Sequence, residues 1–67
     1  MSKLPSSQLI IKVLKRHGFE FVSQRGSHQK FRQGERVVIV PAERKAIPIG
    51  TFRSILRQSG LTLKDFI

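Results

Sequence analysis

The chain is predicted to be an α+β unit: one helix, three antiparallel strands and a second helix, with both helices packed on one face of the sheet. Two segments carry apolar residues at helical spacing. Between them, residues 19–40 read as strands separated by glycine turns. At 67 residues, only one small core is possible, since units of this size bury about 60% of the surface exposed by the unfolded chain.

Ser6 or Ser7 can cap the first helix, in which Ile10, Val13, Leu14 and His17 follow the i, i+3, i+4, i+7 spacing of one buried face. His17 is thus expected as a half-buried capping residue at the end of that stripe. Lys12, Lys15 and Arg16 make the outer face basic, and Gly18 ends the helix. Phe19 to Gln24 reads as the first strand, and Arg25, Gly26 and Ser27 as a turn. Alternation then places His28, Lys30 and Arg32 on one face of the second strand, with Gln29 and Phe31 on the other. Gln33 to Arg36 makes the second hairpin turn, and Val37 to Val40 forms the third strand until Pro41 stops it. In the basic linker from Pro41 to Ile49, Pro48 and Gly50 argue against a long helix. Thr51 is expected to cap the second helix, whose inward stripe is Phe52, Ile55 and Leu56, and Gly60 to end it in a left-handed conformation. Thr62 is placed to cap one last turn in a tail that folds back through its apolar residues.

Thirteen Lys and Arg against four Asp and Glu give a formal charge of +9, which favours a polyanionic partner. There is no cysteine, and two distant histidines with scattered carboxylates show no metal-ligand spacing, so no metal or other cofactor is expected. Gly26-Ser27-His28 lacks the lysine of a phosphate loop and does not lead into a helix. The first residues are not an apolar signal segment, and no run approaches the ~20 residues of a membrane span, so a cytoplasmic protein is expected.

His28 is the first residue to consider for chemistry, because imidazole exchanges a proton near neutrality. RNA carries its own nucleophile: its 2′-hydroxyl attacks the adjacent phosphodiester when a base takes the proton and cations stabilise the phosphoryl oxygens. His28 as the acid or base, with Arg25, Lys30 and Arg32 as phosphate clamps, makes a minimal ribonuclease site that needs no metal. DNA, lacking the hydroxyl, is not cleaved by this route. Each residue also has a plainer reading. A lone exposed histidine is commonly passive, Gly26 and Ser27 suit any tight turn, and Arg53 and Arg57 suit a solvated helix face. Glu43 in the linker balances charge or, alternatively, partners a proton transfer.

The chain resembles HicA-type toxins of bacterial and archaeal toxin–antitoxin systems. The likeness runs through Leu14, Gly18 and Phe19, then Gly26-Ser27-His28 leading to Phe31, then Val40-Pro41, and finally residues 50–62, from Gly50-Thr51-Phe52 to Gly60-Leu61-Thr62. It implies a double-stranded-RNA-binding-like fold over a single domain, residues 1–67. It also implies a metal-independent endoribonuclease that cleaves mRNA and blocks translation, with His28 catalytic and a HicB-type antitoxin covering the site. Arg25, Ser27, Lys30 and Arg32 are the candidate RNA contacts. Many relatives carry a second histidine two residues after the proline that closes the third strand, where this chain has Glu43. The alternative is a non-catalytic RNA-binding module, but such modules are expected to place a lysine cluster at the start of the second helix, and only Arg53 stands near it here. A helix-turn-helix DNA binder suits the charge but not a strand meander between the helices.

Overall fold

A computed structural model describes residues 4–67. Its elements are α1 (Ser7–Arg16), β1 (Glu20–Arg25), β2 (His28–Gln33), β3 (Arg36–Pro41), α2 (Ile49–Ser59) and a closing 3-10 turn at Leu63–Phe66. The strands form one antiparallel sheet in the order β1-β2-β3, giving the expected α-β-β-β-α architecture. Among the described residues, no helix is long and apolar enough to cross a membrane.

Helix α1 starts at Ser6, whose hydroxyl accepts from the Leu9 amide at 3.1 Å. It ends in a Schellman arrangement: the Gly18 amide donates to the Lys15 carbonyl at 3.1 Å and the Phe19 amide to the Leu14 carbonyl at 2.9 Å. Gly18 supplies the required positive φ of 92°, and Phe19 and Leu14 are both buried beneath it. Each hairpin has a two-residue loop, Gly26-Ser27 and Gly34-Glu35, with a positive-φ glycine first (58° and 59°), the pattern of a type II′ turn.

The core lies on one side of the sheet. Phe31 from β2 and Val38 and Val40 from β3 meet Ile10, Val13 and Leu14 of α1 and Phe52 and Ile55 of α2. Phe66 closes the open end through an edge-to-face contact with Phe52, with centroids 5.3 Å apart. The 42–48 linker is zipped onto the start of α1. The Ser7 amide donates to the Arg44 carbonyl at 2.9 Å, and the Ile47 amide to the Pro5 carbonyl at 2.8 Å. The buried Ser7 hydroxyl accepts from the Arg44 amide at 2.9 Å and donates to the Pro41 carbonyl.

Four local expectations need correction. Helix α2 begins at Ile49 with Pro48 as its N-cap, so Gly50 and Thr51 lie inside its first turn and Thr51 is not the cap. Pro48, at φ −56° and ψ 147°, is extended but already has a helix-compatible φ, so the chain turns helical immediately after it. Arg25 belongs to β1 rather than to the turn, because a two-residue loop needs only Gly26 and Ser27. Pro41 pairs with His28 as the last residue of β3 rather than lying beyond the strand. His17 is the C-cap of α1, as expected, but it is not part of the buried stripe: α1 ends at Arg16, and the His17 side chain, 36% exposed, lies outside the core.

Thr62 does cap the last turn: its amide donates to the Asp65 carboxylate at 2.8 Å in a capping box. The His17 imidazole lies 3.8 Å from the same carboxylate. The Thr62 amide is the main cause holding the Asp65 carboxyl below its ordinary value, against desolvation and aided by the Thr62 hydroxyl and His17.

Replacing Phe31 with alanine should cost about 3–5 kcal/mol, the range for emptying a buried aromatic site, as read by urea denaturation. A change under about 1 kcal/mol would contradict the packing described. The depressed Asp65 pKa contributes stability above its ordinary value of 3.8 that is lost as pH falls through the lower folded value. Thermal melting of Asp65→Asn should therefore fall below wild type at pH 7, with the gap closing below pH 3.8.

Candidate nucleic-acid interface

Because Phe31 points into the core, its alternating neighbours His28, Lys30 and Arg32 project from the uncovered face of β2. On β1 the geometry is less direct. Without interruption, Phe21, Ser23 and Arg25 would share a face, yet Phe21 pairs with Phe31 on the core side. A bulge at Val22 resolves the conflict: Ser23 pairs with Lys30 and Arg25 with His28, so both join the open face. Phe21 packs edge-to-face on Phe31 at 5.8 Å, which holds that side of the bulge in place.

The result is an open recess of ≈ 550 Å³ lined by Ser23, Arg25, His28, Lys30 and Ile39. Two cations and one histidine face it with no carboxylate among them, so its field selects an anion. Arg25 and His28 are directly paired across the type II′ loop, where partners' Cβ atoms lie roughly 4.5–5.5 Å apart. On the reverse side the Gln29 amide donates to the Gln24 side chain at 3.1 Å, and Gln24 donates to the Gly26 carbonyl at 2.9 Å, bracing the loop.

Of the residues singled out in the sequence, His28, Arg25 and Lys30 come together in this recess. Arg32 shares their face but does not line it, and its guanidinium donates to the Gly34 carbonyl at 2.9 Å. Ser27 is exposed in the loop, where its carbonyl accepts from the Ala42 amide at 2.6 Å. That bond brings the start of the linker to the same end of the sheet, with exposed Glu43 one residue beyond Ala42 and outside the recess lining. Glu43 adopts a φ of 57°, uncommon for a residue with a side chain. His17 stands at the other end of β2, where Gln33 donates to its carbonyl at 2.7 Å, roughly 17 Å of strand from His28.

Ser23 and Ile39 were not anticipated. Ile39 was within reach, because counting back from the Gly34-Glu35 loop pairs it with Lys30. Ser23 was not, because nothing in residues 20–25 marks the bulge. A second hollow of ≈ 460 Å³ between the N-terminal segment and the closing turn is lined chiefly by apolar groups such as Leu4, Leu9, Phe52 and Phe66. It holds no histidine and no paired cations. Among the described residues, no three His, Cys, Asp or Glu side chains gather as a metal site.

The fold and this face define a small helix-flanked sheet protein with a cationic, histidine-bearing open surface. The family described as HicA toxin of bacterial toxin-antitoxin matches the chain over residues 7–61, and the chain belongs to it. It is therefore the toxin half of a toxin–antitoxin pair, which implies an antitoxin partner. No curated protein matches the chain.

The loop geometry makes a prediction about its glycines. Gly26 has open space around its Cβ position but a φ of 58°, so Gly26→Ala should destabilise by about 1–2 kcal/mol through backbone strain alone. Helical Gly50 also has open space and no positive φ, and Gly50→Ala should stabilise by about 0.4–1 kcal/mol. Urea denaturation of the two variants checks both signs.

Proposed function

We propose that this chain is a metal-independent endoribonuclease that cleaves mRNA and so blocks translation in the cytoplasm, with His28 exchanging the proton. The observation that carries this reading is the recess itself, where His28 stands between Arg25 and Lys30 with no carboxylate in the lining. A phosphodiester seated there meets two cations, which stabilise charge building on its non-bridging oxygens. His28 accepts the proton of the 2′-hydroxyl as general base. The O2′–P bond forms, the P–O5′ bond breaks, and the 5′-oxygen takes a proton from solvent. The products are a 2′,3′-cyclic phosphate and a 5′-hydroxyl.

Ser23 offers a hydroxyl at the edge of the recess that can hydrogen-bond a phosphate oxygen. Arg32 and Ser27 stand at the margins and serve flanking phosphates. Family membership supports the reading through its toxin role, and a HicB-type antitoxin that covers this face would silence it.

Wild-type protein incubated with a defined RNA in the presence of a chelator should release fragments ending in 2′,3′-cyclic phosphate. His28→Ala should lose cleavage by at least ~100-fold, the scale of a removed acid–base group, while retaining its melting temperature. An RNA carrying a single 2′-deoxy residue at the cleavage position should resist cutting there. Undiminished cleavage by His28→Ala, or cleavage at the deoxy position, would defeat the proposal.

A further inference from the structure

The outward row of β3 has no role in packing and no part in the proton chemistry, yet it is apolar. Val37 is 40% exposed, Ile39 and Pro41 are partly exposed, and all three face away from the helices that cover Val38 and Val40. Their register is one-to-one with the basic row of β2: Arg32 pairs with Val37, Lys30 with Ile39 and His28 with Pro41. On the opposite neighbour, β1, the residues paired with this row are Glu20, Ser23 and Arg25, all polar, so the continuous apolar row paired with the cations is that of β3. Helix α2 bounds the strip, since Gln58 accepts from the Ile39 amide at 3.1 Å along the outer edge of β3.

Strand propensity alone accounts for β-branched residues in β3. It does not account for Ile39 in the lining of the His28 recess, beside Lys30. Two rows about 4.8 Å apart, one cationic and one apolar, match the two sides of a nucleic-acid strand: charged backbone on one, base faces on the other. A duplex turns its base faces inward and offers only phosphates, sugars and groove edges.

We propose that Val37, Ile39 and Pro41 form a ledge against which nucleobases lie while their phosphates follow His28, Lys30 and Arg32, so that the site takes single-stranded and not duplex RNA. This rests on the open face being the RNA site, as proposed above. Because the ledge is aliphatic, it selects for unpaired bases with little preference among them. Phosphate contacts set the salt dependence of binding, and the ledge contributes a part that salt does not screen.

The test uses the full chain and a fluorescein-labelled 2′-O-methyl oligonucleotide, which cannot be cleaved, with anisotropy read across a salt series. The double variant Val37→Thr/Ile39→Thr, which keeps β-branching, should bind the single strand about three- to tenfold more weakly, less than the loss of an aromatic stacking platform. Its salt slope should stay at the wild-type value, whereas Lys30→Gln should reduce the slope by about one. Duplex binding should be equal in wild type and the double variant. Ile39→Val should restore near-wild-type affinity, and circular dichroism confirms the fold of each variant; if the double variant fails to fold, Ile39→Thr alone carries the test.

Unchanged single-strand affinity in the threonine variant would overturn the ledge, as would an equal loss of duplex binding. The two proposals fail separately. Ledge-dependent binding without any RNA cleavage by wild type sinks the ribonuclease reading and leaves the ledge standing, and cleavage with ledge-independent binding does the reverse.

Discussion

The burial of Phe31 is the contact on which the rest of the molecule depends. It sits 1% exposed among residues of both helices, and through the two-residue period of a strand it fixes the rotation of β2. A one-residue slip would drive Lys30 and Arg32 into an apolar core and turn Phe31 to water, costs that a chain of this size cannot sustain. The same packing that stabilises the fold therefore holds His28 and its neighbouring cation outward. Stability and the candidate chemistry share one strand and occupy its two faces.

The recess is completed by features that pack little themselves. The bulge at Val22 lets β1 satisfy Phe21 on the core side and still send Arg25 across from His28. As an exposed edge strand, β1 also gains from a bulge, because a kinked edge is a poor template for pairing with another chain. At the other side of the sheet, Ser7 ties the Pro41 carbonyl and the Arg44 backbone to α1. That knot determines where the linker leaves β3, and it places Glu43 near the His28 end of the sheet without bringing it into the recess. Any proton-transfer partner for His28 is thus sought among solvent and the substrate before Glu43.

Much of this was readable from residue order, for identifiable reasons. Strict alternation around Phe31 and two glycine-first loops are strong local signals, and together they give β2, β3 and their facing. The helical stripes are equally plain, as is the left-handed stop at Gly60, whose φ is 74°. The errors occurred where tertiary contacts override local cues. His17 continues the helical spacing but is the C-cap of α1, one residue before Gly18 turns the chain with its positive φ, and the start of α2 is set by Pro48 rather than by the hydroxyl of Thr51. The bulge has no local signature, so the position of Ser23 emerged only from pairing. Ser7 likewise looks like any polar residue at a helix start, although its hydroxyl is buried and satisfied by residues more than thirty positions away.

The proposed RNA site is the open sheet face and not the basic outer faces of the helices, where Lys12, Lys15, Arg16, Arg53 and Arg57 also offer charge. The most direct measurement is a backbone-amide NMR titration of ¹⁵N-labelled His28→Ala protein with a short single-stranded RNA. Shifts concentrated at Ser23, Arg25, Lys30 and Ile39 are expected, with α1 and α2 unmoved. Shifts concentrated at Lys12, Lys15 and Arg16, with the sheet face silent, would contradict it.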